Sequence, residues 1–147
     1  MWAGVLEQLG GQNVAAGQIE NWGPLNPEYL LAAQPDVILL AGSEWLNRPE
    51  AVLLGWGADP ALANERMGAY LTRPGWDTLP AVQSGQVYGI YHGGTRTLSD
   101  FAYFRFIAKI LHPEAFADVD PAADLAAFYD AWLPIPVSGT FVAHYQP

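Results

Sequence analysis

The order of elements in this sequence predicts an α/β layer fold with a largely parallel sheet flanked by helices. Two continuous apolar runs, "DVILLAG" (36–42) and "QVYGIYHG" (86–93), have the form of strands covered on both faces. Helical patterns precede, separate and follow them, the alternation that builds a parallel sheet. The 147 residues make one domain the default, and 51% hydrophobic content with six tryptophans is enough for a core.

Taken in order, residues 1–10 read as the end of a helix stopped by Gly10-Gly11, and "QNVAAG" (12–17) as a short strand. "NPEYLLAAQPD" predicts a helix with Asn26 as N-cap, Pro27 at the first helical position and Glu28 near the positive end. Pro35 stops it, because proline disfavours helical backbone at the residue before it. The first strand follows at 36–42, then an irregular stretch from Ser43 to about Pro60 that contains Trp45 and Trp56. "PALANERMGAYL" (60–71) reads as a helix, and "RPGWDTLPAVQSG" (73–85) as turns around a short one. After the second strand, "TLSDFAYFRFIAKILH" (97–112) carries the strongest helical pattern. Its Arg105, Lys109 and His112 form one narrow wet stripe. Asp120 and Pro121 cap a last helix, "PAADLAAFYDAWL", which Pro134 and Pro136 close.

A net charge of −9 and a pI near 4.4 speak against nucleic acid, which selects a basic face. With no cysteine there is neither a disulfide framework nor a thiolate zinc site. "VILLAG" (37–42) is far too short to cross a membrane. "MWAGVLEQLGG" has no Lys or Arg and contains Glu7, so it is not read as a signal peptide, and any export signal is expected outside this chain.

In open α/β sheets ligands sit beyond the carboxyl ends of the strands. That places "GSEWLNR" (42–48) and "YHGGTR" (91–96) at the expected site. Arg96 precedes Thr97, read as the N-cap of the long helix, and the two would form an anion-binding corner. Gly93-Gly94 would let a ligand approach the backbone closely, and a plain ion pair of Arg96 with Asp100 is the competing reading. Trp45 and Arg48 offer an aromatic wall and a guanidinium for a flat anionic or chelated ligand, against a tryptophan simply packed under a loop. Tyr91 and His92 point to opposite faces if the strand runs through both. His92, His112 and His144 lack metal-site spacing, and no catalytic arrangement, nucleophile elbow or nucleotide loop is present. An enzyme reading rests only on His92 with Glu44, and a third reading is an interaction module using exposed aromatics.

Four ordered segments, "LGGQNVA" (9–15), "NPEYLLAAQPDVILLAG" (26–42), "RPGWDTLPAVQSGQVYGIYHG" (73–93) and "IAKILHPEAFADVDP…FYDAWLPIPVSGTF" (107–141), resemble the substrate-binding proteins of bacterial ABC importers. Those importers serve iron-siderophores, haem, cobalamin and some oxyanions. The resemblance implies a three-layer Rossmann-like lobe, with residues 1–147 as the C-terminal lobe of a two-lobe protein. The N-terminal lobe and most of a connecting helix then lie outside the chain. It also implies a non-enzymatic protein without a cofactor, placed in the periplasm or anchored outside the membrane. Its partners would be a membrane permease and a small-molecule ligand: a ferric siderophore or related chelate, haem, cobalamin, or alternatively a free oxyanion such as molybdate. The cleft residues it favours are Trp45, Arg48, Tyr91, His92 and Arg96.

Overall fold

A computed structural model of the chain describes residues 2–19, 23–45 and 47–147. Met1 of the first expected helix and Leu46 of the loop after the first strand lie outside them. Helix α1 (Trp2–Gln8) ends as its glycines require. Gly10, at φ +81°, donates to the Glu7 carbonyl and Gly11 to the Leu6 carbonyl, the paired bonds of a Schellman stop. The expected strand at 12–17 does not form. Asn13 accepts from the Ala15 N–H through its side chain and from Ala16 through its carbonyl, and this local turn outcompetes extension.

Helix α2 (Pro27–Ala33) starts where predicted, the Asn26 carboxamide oxygen accepting from Glu28 N–H at 2.9 Å. Strand β1 (Ile38–Gly42) is followed by a stretch that holds only the two-residue β2 (Gly55–Trp56). Helix α3 (Pro60–Leu71) is capped by Asp59, and α4 (Pro80–Gln83) follows a single 3-10 turn. Strand β3 (Val87–Tyr91) leads through a 3-10 turn at His92–Arg96 to α5 (Asp100–Leu111). Helix α6 (Pro121–Trp132) opens on Asp120, whose carboxylate accepts from the Ala122 and Ala123 N–H groups. Two short strands, β4 (Gly139–Thr140) and β5 (Val142–His144), end the chain where only closing prolines were expected.

The sheet is small and mixed, in the order β1-β3-β5. Strands β1 and β3 run parallel from Ile38 opposite Val87 to Gly42 opposite Tyr91. β5 adds antiparallel to β3, and a separate antiparallel pair joins β2 to β4. Side-chain alternation along the parallel strands divides the core into two layers. Ile38, Leu40 and Val87 face one cluster with Val52, Leu54, Met67 and Leu79, packed beneath α3 and α4. Leu39, Tyr88 and Ile90 face the other, with Val5, Tyr103, Phe106, Ile107 and Leu125 from α1, α5 and α6. Helices therefore cover both faces, which is why these strands read as unbroken apolar runs.

The polar stripe on α5 is tied to its neighbours as well as solvated. Arg105 forms an ion pair with Asp124 of α6 at 2.8 Å, Lys109 donates to the carbonyls of Ala117 and Val119, and His112 Nε2 meets the Leu9 carbonyl at 2.7 Å. Each polar tip ties the helix to a neighbouring segment.

Candidate functional site

Because β1 and β3 pair in register through Gly42 and Tyr91, the segments leaving their carboxyl ends emerge side by side. The first passes through Ser43 and Glu44 to Trp45, and the second enters the 3-10 turn at His92. The Trp45 and His92 rings meet with centroids 6.5 Å apart, and Trp45 stays 40% exposed. Two of the expected residues, from segments 47 positions apart, thus form one aromatic surface. Arg96 closes the same 3-10 turn, about 8 Å along its axis from His92 at the rise of such a turn.

The strand stops at Tyr91, so the opposite-face geometry expected for Tyr91 and His92 does not arise. Tyr91 turns inward against Tyr103 and Phe141, with centroids at 6.5 and 5.5 Å. Burial and the neighbouring Glu44 carboxylate raise the pKa of its hydroxyl. Glu44 accepts from the Ser43 hydroxyl at 2.8 Å and from the Trp56 N–H at 3.2 Å. Partial burial pushes its carboxyl upward, but the donors around it outweigh burial and hold it below the ordinary 4.5. Among the described residues Glu44 accepts from Ser43 and Trp56 and lies beside Tyr91, and the His92–Glu44 pair on which an enzyme reading rested is not formed. Trp56, 37% exposed, stands edge-on to Tyr129 and Phe141 and extends the aromatic surface.

The anion corner at Thr97 also takes a different form. Helix α5 begins at Asp100, and Ser99 precedes it without a side-chain capping bond. The Thr97 hydroxyl instead donates back to the Gly94 carbonyl and lies 3.0 Å from the Ser99 hydroxyl. The glycines serve the protein's own packing, since a Cβ at Gly93 would stand 2.7 Å from the Tyr91 ring and one at Gly94 2.7 Å from the Tyr103 ring. Close approach is what they permit, but the approaching groups are tyrosines and not a ligand.

Four of the six cations of the chain are engaged. Arg105 pairs with Asp124, Lys109 with two carbonyls, and Arg73 lies over the Tyr70 and Trp76 rings. Arg66 of α3 donates to the carbonyls of Trp45 and Arg48, each at 3.2 Å. The Arg48 and Arg96 side chains make no ion pair or hydrogen bond with the described residues, so Arg96 does not pair with Asp100. Both follow the carboxyl end of one of the two parallel strands. Sequence reading missed Glu44 as a partner of Tyr91, Trp56 as a surface aromatic, and Arg66. The scarcity of cations was the only signal that could have marked Arg66.

The histidines are dispersed. His112 binds the Leu9 carbonyl, while His144 stacks on Tyr88 with centroids at 4.5 Å and meets the Gly85 carbonyl. Two hollows, of about 560 and 460 Å³, lie away from these residues at the amino end of β1. Gly11, Gln12, Asn13 and Val14 line both. The strand-end surface is open, like one wall of a cleft.

A family model described as periplasmic binding protein matches residues 2–92. Among solved structures, the TroA-like periplasmic binding protein FepB from Veillonella parvula superposes with a TM-score of 0.95 at 37% identity. That match covers 99% of this chain and 42% of that one. A periplasmic solute binding protein from Veillonella parvula DSM 2008, at TM-score 0.60 and 17% identity, shares the fold over 92% of this chain and 38% of that one. No curated protein matches the chain. The chain belongs to the periplasmic binding protein family. It spans less than half the length of these solved relatives.

Proposed function

We propose that this chain is the C-terminal lobe of a two-lobe solute-binding component of an ABC importer. Placed in the periplasm or anchored outside the membrane, the protein captures an anionic metal chelate of the ferric-siderophore type between its lobes and delivers it to a membrane permease. The observation that carries this reading is the pair of arginines, Arg48 and Arg96, uncommitted among the described residues and borne on the two segments that form the Trp45–His92 surface at the ends of adjacent parallel strands. In a chain of net charge −9, two cations without partners among the described residues, near an exposed indole in sequence, suit a flat, negatively charged ligand. Tyr91 contributes from the end of β3, with Glu44 beside it.

The two-lobe reading draws support from the extent of the FepB match, which leaves more than half of that chain over. A second support lies where α5 starts and α6 ends. Arg105 pairs with Asp124 and Phe101 meets Phe128, so the helices run antiparallel and bring Leu98 and Trp132 to one end, exposed by 89 and 75%. A companion lobe would cover such an edge.

A native mass spectrum of the full-length protein purified from its host is the direct test. The expected result is an added mass equal to an iron chelate. A mass matching a bare oxyanion such as molybdate would replace the chelate reading, and no added mass across preparations would leave it without support. Arg96→Ala should weaken binding of the retained ligand by about 1.5–3 kcal/mol, the loss for a hydrogen bond to a charged group, as read by titration calorimetry. Undiminished affinity removes Arg96 from the site.

A further inference from the structure

We propose that Arg66 of α3 is the positioning residue that makes Trp45 and Arg48 a single ligand-facing unit; the inference rests on the reading of the strand-end surface just given. The chain after β1 is held by backbone bonds at both ends of a short turn. Arg48 N–H donates to the Trp45 carbonyl at 3.0 Å, and Ala51 N–H donates to the Arg48 carbonyl at 3.0 Å. The same two carbonyls receive Arg66 Nη1, at 3.2 Å each. One planar guanidinium thus bridges both ends of the turn from a helix 18 to 21 residues away in sequence.

The arrangement is specific to that side chain. Arg66 sits one position before Met67, a fully buried residue of the core beneath α3, so the stem of Arg66 leaves a rigid base. A donor on a rigid base converts the orientation of α3 into the orientation of the turn. It also brings a third positive charge to the turn, at the carbonyls of Trp45 and Arg48. Trp45 and Arg48 are themselves exposed, and among the described residues the Trp45 ring has an aromatic contact with His92 alone, so they need an external constraint to face one ligand together. Preorganised groups bind without the ordering cost that a floppy loop incurs.

The test uses the full-length protein, with hydrogen exchange read by mass spectrometry and, as probe, iron(III) tris(catecholate). In Arg66→Ala, exchange at residues 45–51 should quicken roughly ten-fold or more while residues 38–42 stay protected. Probe affinity should fall on the order of ten-fold, the loss for hydrogen bonds from a charged donor. Arg66→Lys should restore part of both. Trp45→Ala in the Arg66→Ala background should cost little further affinity, because two residues acting as a unit are not additive. Unchanged exchange at 45–51 would overturn the role of Arg66 whatever the affinity does. Quickened exchange with unaltered affinity, or a wild-type protein that ignores the probe, instead overturns the assignment of Trp45 and Arg48 to the ligand wall, and the proposal with it.

Discussion

Glu44 accepts from Ser43 at the end of β1 and from Trp56 in β2, with Tyr91 of β3 beside it, and its charge is what makes those bonds strong. Its folded-state pKa lies below 4.5, so the ionised form is favoured by folding. By linkage, the stability this adds is fully present above the unfolded pKa and is lost as pH falls through the lower folded value. Glu44→Gln lacks that term at every pH. The stability gap between wild type and Glu44→Gln should therefore be widest and flat above about pH 5 and narrow as pH drops below 4.5. Urea titrations across pH 7 to 3 decide it, and a gap independent of pH would show that the charge contributes nothing. Of these residues Tyr91 was legible as part of the ligand site, and Glu44 only as a partner for His92. The partnership of Glu44 with Tyr91 spans 47 positions, and no local pattern encodes such a distance.

At the scale of elements, segments with local start and stop chemistry were legible, while the segment without it was not. Asn26-Pro27, Asp120-Pro121 and the Gly10-Gly11 stop each announce a helix terminus through their own backbone and side-chain bonds. "AVLLG" (51–55) announces nothing, having neither helical period nor room for a long strand. Yet Val52, Leu53 and Leu54 are almost wholly buried, and Ser43 pairs with Leu53 by a single parallel bridge. This stretch is core without being regular structure. Leu54→Ala should destabilise the fold by about 2–5 kcal/mol, as deletion of a buried leucine does in a packed interior. Trp45→Ala, nine residues earlier on the exposed rim, should change stability by well under about 1 kcal/mol, as surface substitutions do. Chemical denaturation of the two variants checks both, and equal losses would refute the division of this loop into a buried half and an exposed one. Strands β4 and β5 were missed for a related reason. At two and three residues they are strands only because β2 and β3 offer partners.

For the molecule as a whole, the open strand-end surface has an energetic consequence. Binding sites for small molecules enclose about 70–90% of their ligand, and on the two-lobe reading proposed above this chain supplies only part of that enclosure. The chain alone should therefore bind iron(III) tris(catecholate) at least roughly ten-fold more weakly than the two-lobe protein, as measured by calorimetry. Equal affinities would place the entire site on this lobe and remove the cleft from the reading.

The sequence by itself determined the α/β class, the two central strands, the five longer helices and the end of the sheet at which Trp45, His92 and Arg96 would be found. These follow from short-range physics: apolar runs covered on both faces, proline and glycine punctuation, and side-chain caps. Tertiary structure alone decided which groups are spoken for. Only once β1 and β3 are paired does Tyr91 meet Glu44, do the Tyr91 and Tyr103 rings fill the space at Gly93 and Gly94, and does Arg66 reach the turn while Arg48 and Arg96 keep their charges free of the described residues. Hydrogen bonding and packing are contests among all neighbours in space, and a chain read in one dimension does not contain its list of competitors.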